Sequence, residues 1–115
     1  MDFKDGRLDV TYYEGTSLVT LQQPQAARPV LAASLAVQEP AHVKARSILL
    51  LAIATTHAQE QEIEEAGALA GRALDIPPEH RIGPIDQRAR DLLRELEPWR
   101  LTPAVRALAD QVATP

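Results

Sequence analysis

The sequence predicts an all-α fold of about six helices arranged as antiparallel pairs, and three observations carry that reading. Of the 115 residues, 45% are hydrophobic but only 3% aromatic, and alanine, with 19 copies, supplies most of the apolar count. Small side chains let helix backbones approach closely, whereas β-sandwiches draw on aromatic and β-branched residues. Prolines punctuate segments in which apolar residues recur at intervals of three and four, the mark of helices with one buried face. Finally, the pattern that opens at Gln23 returns, at one constant offset, from Glu62 onward.

The first helix is expected from about Leu8 to Gln22, with Leu8, Tyr12, Gly15, Leu18, Val19 and Leu21 as its apolar positions. Val10, Thr11, Tyr12 and Tyr13 have strand propensity, but no second strand is available to pair with them. A second helix runs from about Pro24 to Val37, with Ala27, Val30, Leu31, Ser34 and Leu35 inward; Pro29 lies inside it and implies a late start or a kink. The third, Ala41 to Ala58, is the most apolar and should be the most buried. The fourth, Gln61 to Ile76, is preceded and opened by Glu60, Glu62, Glu64 and Glu65, carboxylates that suit the positive end of a helix dipole. A fifth spans about Pro84 to Glu97, and Thr102-Pro103 signals the N-cap and first residue of a sixth that ends near Ala113.

The repeat aligns Gln23-Pro24-Gln25-Ala26-Ala27, through Leu31, Ser34 and Leu35, with Glu62-Ile63-Glu64-Glu65-Ala66, through Ala70, Ala73 and Leu74. Its spacing resembles the tetratricopeptide repeat, a pattern with a small residue early in each helix of a pair and a proline at the end. Gly15 with Ala27, and Ala54 with Ala66 and Pro78, hold those places, and Gly67 and Gly71 extend the small surface around Ala70. The pattern's large aromatic is displaced to Tyr12 and is Leu50 in the second copy, and its mid-turn glycine is replaced by Gln22 and Gln61. The resemblance implies a short solenoid in one domain spanning 1–115: residues 8–40 the first repeat, 41–78 the second, and 84–113 a capping helix pair.

A second likeness covers nearly the whole chain. Ala41-His42-Val43-Lys44-Ala45-Arg46-Ser47, then Arg88-Ala89-Arg90-Asp91-Leu92-Leu93, Leu96-Glu97-Pro98-Trp99 and Thr102-Pro103-Ala104-Val105-Arg106-Ala107-Leu108 resemble the C-terminal sensory region of actinobacterial helix-turn-helix regulators of phage-repressor type. The reader head of that family has no counterpart before Leu8, and no helix is basic enough to enter a major groove. The likeness implies a protein-interaction or regulatory module that binds a peptide or partner protein or pairs with itself, standing alone or as a piece of such a regulator.

The remaining chemistry narrows the classes. A net charge of −4 repels phosphate backbones and anionic membranes, so neither nucleic acid nor membrane is an expected partner. Without cysteine there is no disulfide or thiolate, in keeping with a cytoplasmic setting, and the N-terminal residues lack a signal-peptide core. His57 with Glu60 and Glu64 has no second histidine in helical register and reads as a hydrogen-bonded structural histidine; no metal or cofactor is expected. Arg88, Arg90 and Arg94 interleave with Asp86, Asp91, Glu95 and Glu97 and read as a solvated face. Trp99 reads as a packing residue. With no phosphate loop, nucleophile elbow or triad, no enzyme is expected.

In the tetratricopeptide reading the first helices of successive pairs line a concave groove. Carried over by position, it would present Tyr12, Thr16, Val19, Ile48, Leu51, Thr55 and Gln59, flanked by Asp9, Thr20 and Ala58. Absence of asparagine excludes the carboxylate clamp that some members of that family use. The alternatives are a small-molecule sensor with its pocket between Tyr12, Leu51 and Trp99, and a small accessory subunit or enzyme.

Overall fold

The structure, a computed structural model, describes residues 2–3, 6–7 and 10–114. Six α-helices account for most of it: α1 (Val10–Thr20), α2 (Pro24–Ala36), α3 (Val43–Gln59), α4 (Ile63–Leu74), α5 (Gly83–Glu95) and α6 (Pro103–Ala113). Single 3-10 turns, Pro78–His80 and Glu97–Trp99, precede α5 and α6. The strand-prone run from Val10 to Tyr13 is the first turn of α1. A ladder of two residues on each side, β1 (Asp2–Phe3) against β2 (Gly6–Arg7), stands before it, with Asp2 opposite Arg7 and Phe3 opposite Gly6. Leu8 and Asp9 lie outside the described residues.

α1 and α2 form one hairpin and α3 and α4 a second; α2 also packs on α3, α5 on α3, and α6 on α4 and α5. The molecule measures 38 × 32 × 19 Å, so its least dimension fits two helices, each about 10 Å across. α1, α3 and α5 lie side by side in one layer, backed by α2, α4 and α6. At the centre is α3, buried along nearly its whole length from Ala45 to Ala58. This follows from its composition, because Ile48 to Ala54 offers no polar face to water. Buried hydroxyls on α3 bond to backbone: Ser47 Oγ donates to the Ala73 carbonyl at 2.7 Å and Thr56 Oγ1 to that of Ile53 at 2.6 Å.

Close approach explains the small residues. A Cβ built on Gly15 would lie 2.6 Å from Leu31 Cδ2, and one on Gly67 would lie 3.1 Å from Ala104 Cβ. Ala27, Ala54, Ala66, Ala70 and Ala73 have no exposed surface. Both hairpins turn in the same way. Gln22 and Gln61 adopt φ of 57° and 59°, and each donates its N–H to a carbonyl three residues back, Val19 at 2.9 Å and Ala58 at 3.0 Å. The next residue bonds five back, Gln23 to Leu18 and Glu62 to His57, both at 2.9 Å. This is the Schellman closure, which normally recruits glycine.

Several local expectations are corrected. Leu21 is 65% exposed, because α1 has ended and the left-handed turn points it outward. α2 starts at Pro24 and runs through Pro29, so a late start is excluded; the missing N–H falls in the second turn, on the exposed side. Only Glu64 and Glu65 lie in the first turn of α4; Glu60 and Glu62 belong to the turn before it. Thr102 does stand at the N-cap position of α6 with Pro103 as the first helical residue, but its hydroxyl makes no capping bond and donates backward to the Trp99 carbonyl at 2.8 Å. Among the described residues no helix is long and apolar enough to cross a membrane.

Candidate functional site

In the front layer α1 and α5 both pack on α3 but leave a gap over its surface. Between them lies an open cleft of about 680 Å³, walled by Thr16, Val19 and Thr20 of α1, floored by Leu51, Ala52 and Thr55 of α3, and bounded by Gln87, Arg88, Asp91, Leu92, Arg94 and Glu95 of α5. The side chains of Ala52 and of the threonines that line it are short and leave this space unfilled.

Four of the seven residues assigned to a groove from sequence, Thr16, Val19, Leu51 and Thr55, line this cleft. The other three do not. Tyr12 is buried, its hydroxyl taken by the Arg88 guanidinium. Ile48, only 7% exposed, points into the core because α3 is covered on several sides. Gln59 is tied across the layer, its amide Nε2 donating to the Val19 carbonyl at 2.9 Å, with Oε1 buried and unpaired. Of the flanking positions, Thr20 lines the cleft and Ala58 is buried. The pocket imagined between Tyr12, Leu51 and Trp99 is not formed: Leu51 lines the cleft, while Trp99 is half-buried on its 3-10 turn and packs against the core.

Sequence reasoning missed the α5 wall. Arg88 is not one of a set of surface pairs; it reaches Tyr12, 76 residues away, with its guanidinium carbon 6.0 Å from the ring centroid. Burial raises the Tyr12 pKa above that of a free phenol, while the charge and hydrogen bond of Arg88 pull the other way. Arg94 pairs with Asp91 on the rim, as expected of a solvated face. Glu95 keeps its proton more readily than a free glutamate, because nearby protein desolvates it and the Asp91 carboxylate repels its charge.

The hydroxyls facing the cleft share a state. Thr16 Oγ1 donates to the Tyr13 carbonyl at 3.1 Å, Thr20 Oγ1 to Thr16 at 3.1 Å, and Thr55 Oγ1 to Leu51 at 2.9 Å. With each proton committed to its own helix, the oxygens remain as acceptors. The walls therefore offer acceptors on α1 and α3, an apolar floor, and both signs of charge on α5.

A second polar cluster fastens the two hairpins together. Arg28 of α2 donates from Nε to Thr56 Oγ1 at 3.1 Å, and its Nη2 pairs with Glu60 and, at 3.5 Å, with Glu62. Gln25 Nε2 donates to Glu60 at 3.3 Å, and His57 Nδ1 lies 2.7 Å from Glu62 Oε1. The Arg28 hydrogen bond, helped by Gln25 and by the charges of Arg28 and His57, lowers the Glu60 pKa against a smaller opposing effect of desolvation. His57 is thus held in a structural network. Among the described residues no group of three or more His, Cys, Asp and Glu is placed to hold a metal ion.

Comparisons with protein-family models, with curated proteins and with solved structures find no match to this chain.

Proposed function

We propose that this chain is a protein-interaction and regulatory module of tetratricopeptide type, which binds a peptide or partner helix in the cleft between α1, α3 and α5. The observation that carries the reading is the cleft's place in the fold: it runs across the first helix of each hairpin and of the C-terminal pair. Supporting it are two hairpin turns of the same geometry, centred on Gln22 and Gln61 at equivalent points of the repeat, and small residues at both helix contacts. The third pair departs from a regular solenoid, with α6 rather than α5 lying on α4.

The lining suits a peptide. Threonine oxygens, whose lone pairs are free to accept, meet the N–H groups of an extended backbone, Leu51 and Ala52 meet an apolar side chain, and the α5 charges select for position. The likeness to the sensory region of helix-turn-helix regulators makes control of a partner protein the natural use of such binding, with no catalysis and no direct contact to nucleic acid or membrane.

Thr55→Trp, at a partly exposed position, fills the cleft over its floor. The tagged parent chain should recover a defined partner from its native lysate that T55W, equally folded by circular dichroism, does not. Equal recovery by both chains would place binding elsewhere. A cleft of this volume also lies in the range of small-molecule sites; a metabolite screen that raises the melting temperature of the parent but not of T55W would favour a sensor over a peptide binder.

A further inference from the structure

Charged side chains of α5 line the cleft, and two of them neutralise each other. Arg94 pairs with Asp91 on the rim, and Gln87 Nε2 donates to the same Asp91 oxygen at 2.9 Å. Arg88 and Glu95 are left over. The Arg88 guanidinium is half-buried, and the group it meets is the Tyr12 hydroxyl, a phenol that burial keeps neutral; it makes no ion pair among the described residues. Glu95 likewise has neither a hydrogen bond nor an ion pair among the described residues. Its pKa is raised by desolvation and by the Asp91 carboxylate, with no cation of the chain offsetting them.

The spacing turns these two charges into a matched pair. Arg88, Asp91, Leu92 and Glu95 follow at steps of three, four and seven residues and so share one stripe of α5. Seven residues rise about 10 Å along a helix. One wall of the cleft therefore carries an unpaired cation and, about two turns further on, an unpaired anion, with Leu92 between them and the apolar floor of α3 beside it.

On the reading of the cleft as a peptide site, we infer that it selects an extended segment carrying a basic and an acidic residue on one face, the basic side chain at Glu95 and the acidic one at Arg88. An apolar residue between them lies over Leu51 and Ala52. Charge complementarity chooses this occupant. A segment basic throughout would satisfy Glu95 but bring like charge to Arg88, and an acidic one would do the reverse. In an extended chain alternate side chains share a face, so the first, third and fifth residues point into the cleft together and span about 13 Å. Long side chains on both partners take up the difference from the spacing along α5. The threonine oxygens of α1 and α3, with their own protons committed, accept from the backbone N–H groups of the same segment.

Four end-capped peptides serve as probes: Lys-Ala-Leu-Ala-Glu, Glu-Ala-Leu-Ala-Lys, Lys-Ala-Leu-Ala-Lys and Glu-Ala-Leu-Ala-Glu. Titrated into the isotope-labelled chain and followed by NMR, at least one mixed peptide should move the amide resonances of Thr16 and Thr55 and bind about three- to tenfold more tightly than either like-charged peptide. Glu95→Lys, at an exposed position, should reverse the order and favour Glu-Ala-Leu-Ala-Glu. Tightest binding of Lys-Ala-Leu-Ala-Lys to the parent would mean simple attraction to the net charge of −4 and overturn the inference. Tightest binding of Glu-Ala-Leu-Ala-Glu, four equal affinities, or an E95K chain that keeps the parent's preference would overturn it as well; all of these leave the peptide reading standing. Cleft resonances that none of the four peptides moves at millimolar concentration would overturn both.

Discussion

Gln22 and Gln61 are the two described non-glycine residues with positive φ, at 57° and 59°, and they occupy the same point of two successive hairpin turns. Each left-handed turn is held by a pair of hydrogen bonds that a helix continuation would lose. A side chain in this conformation costs about 1 kcal/mol relative to glycine. Gln61→Gly should therefore raise stability by about 0.5–1 kcal/mol and Gln61→Val should lower it by about 1–2 kcal/mol, as read from urea denaturation midpoints.

Helix contact in the first hairpin rests on Gly15 and Leu31. Leu31 is fully buried and cannot swing away from a Cβ placed 2.6 Å from its Cδ2. Gly15→Ala should cost about 1–2 kcal/mol net of the gain in helix propensity. In a Leu31→Ala background the same change should be neutral or stabilising, giving a clear coupling in a double-mutant cycle. Ala66→Leu, at the corresponding contact of the second hairpin, should cost about 1–3 kcal/mol by overpacking.

Arg81 ties the end of the chain to the start of α5. Its side chain is 9% exposed; Nε donates to Asp86 Oδ1 at 2.7 Å and Nη2 to the Val112 carbonyl at 2.9 Å. Replacing it with methionine leaves a carboxylate and helix-end carbonyls unpaired, for a loss of about 2–3 kcal/mol. Lysine should recover little of this, because it cannot span both partners with a planar fork. Thermal melts of the three proteins decide the matter.

Two carboxylates give opposite pH signatures. The Glu60 pKa is lowered in the fold, so its contribution is present above the unfolded value near 4.5 and is lost as pH falls through the folded one. Glu60→Gln should flatten the acid side of the melting-temperature profile. The Glu95 pKa is raised, so its contribution is present below the unfolded value and is lost as pH rises through the folded one. Glu95→Gln should then raise the melting temperature at pH 7 and leave it unchanged at pH 3.

Helix order and the small contact positions were legible in the sequence because they are local: periodicity marks the apolar face, and Gly15, Ala27 and Ala66 stand at a fixed spacing. Thr16, Val19, Leu51 and Thr55 of the α1 and α3 walls came from the tetratricopeptide resemblance, carried over by position, which also put Tyr12, Ile48 and Gln59 there. The α5 wall was not legible. Alternating charges look alike on a helix that faces water and on one that faces a cleft, and nothing near Arg88 in the chain announces a phenol 76 residues away. Thr102 shows a subtler limit. Its type and its neighbour Pro103 suit a cap, but the preceding 3-10 turn offers its hydroxyl a nearer acceptor.

Site-specific photo-crosslinking in the native cell tests the central claim most directly. A benzophenone side chain is placed at Thr16 or Thr55 in the cleft, or at Ala68, an exposed site on α4 in the rear layer. If the cleft is the binding site, Thr16 and Thr55 give the same discrete adduct and Ala68 gives none. Adducts from Ala68 alone, or no adduct from either cleft position, would contradict it.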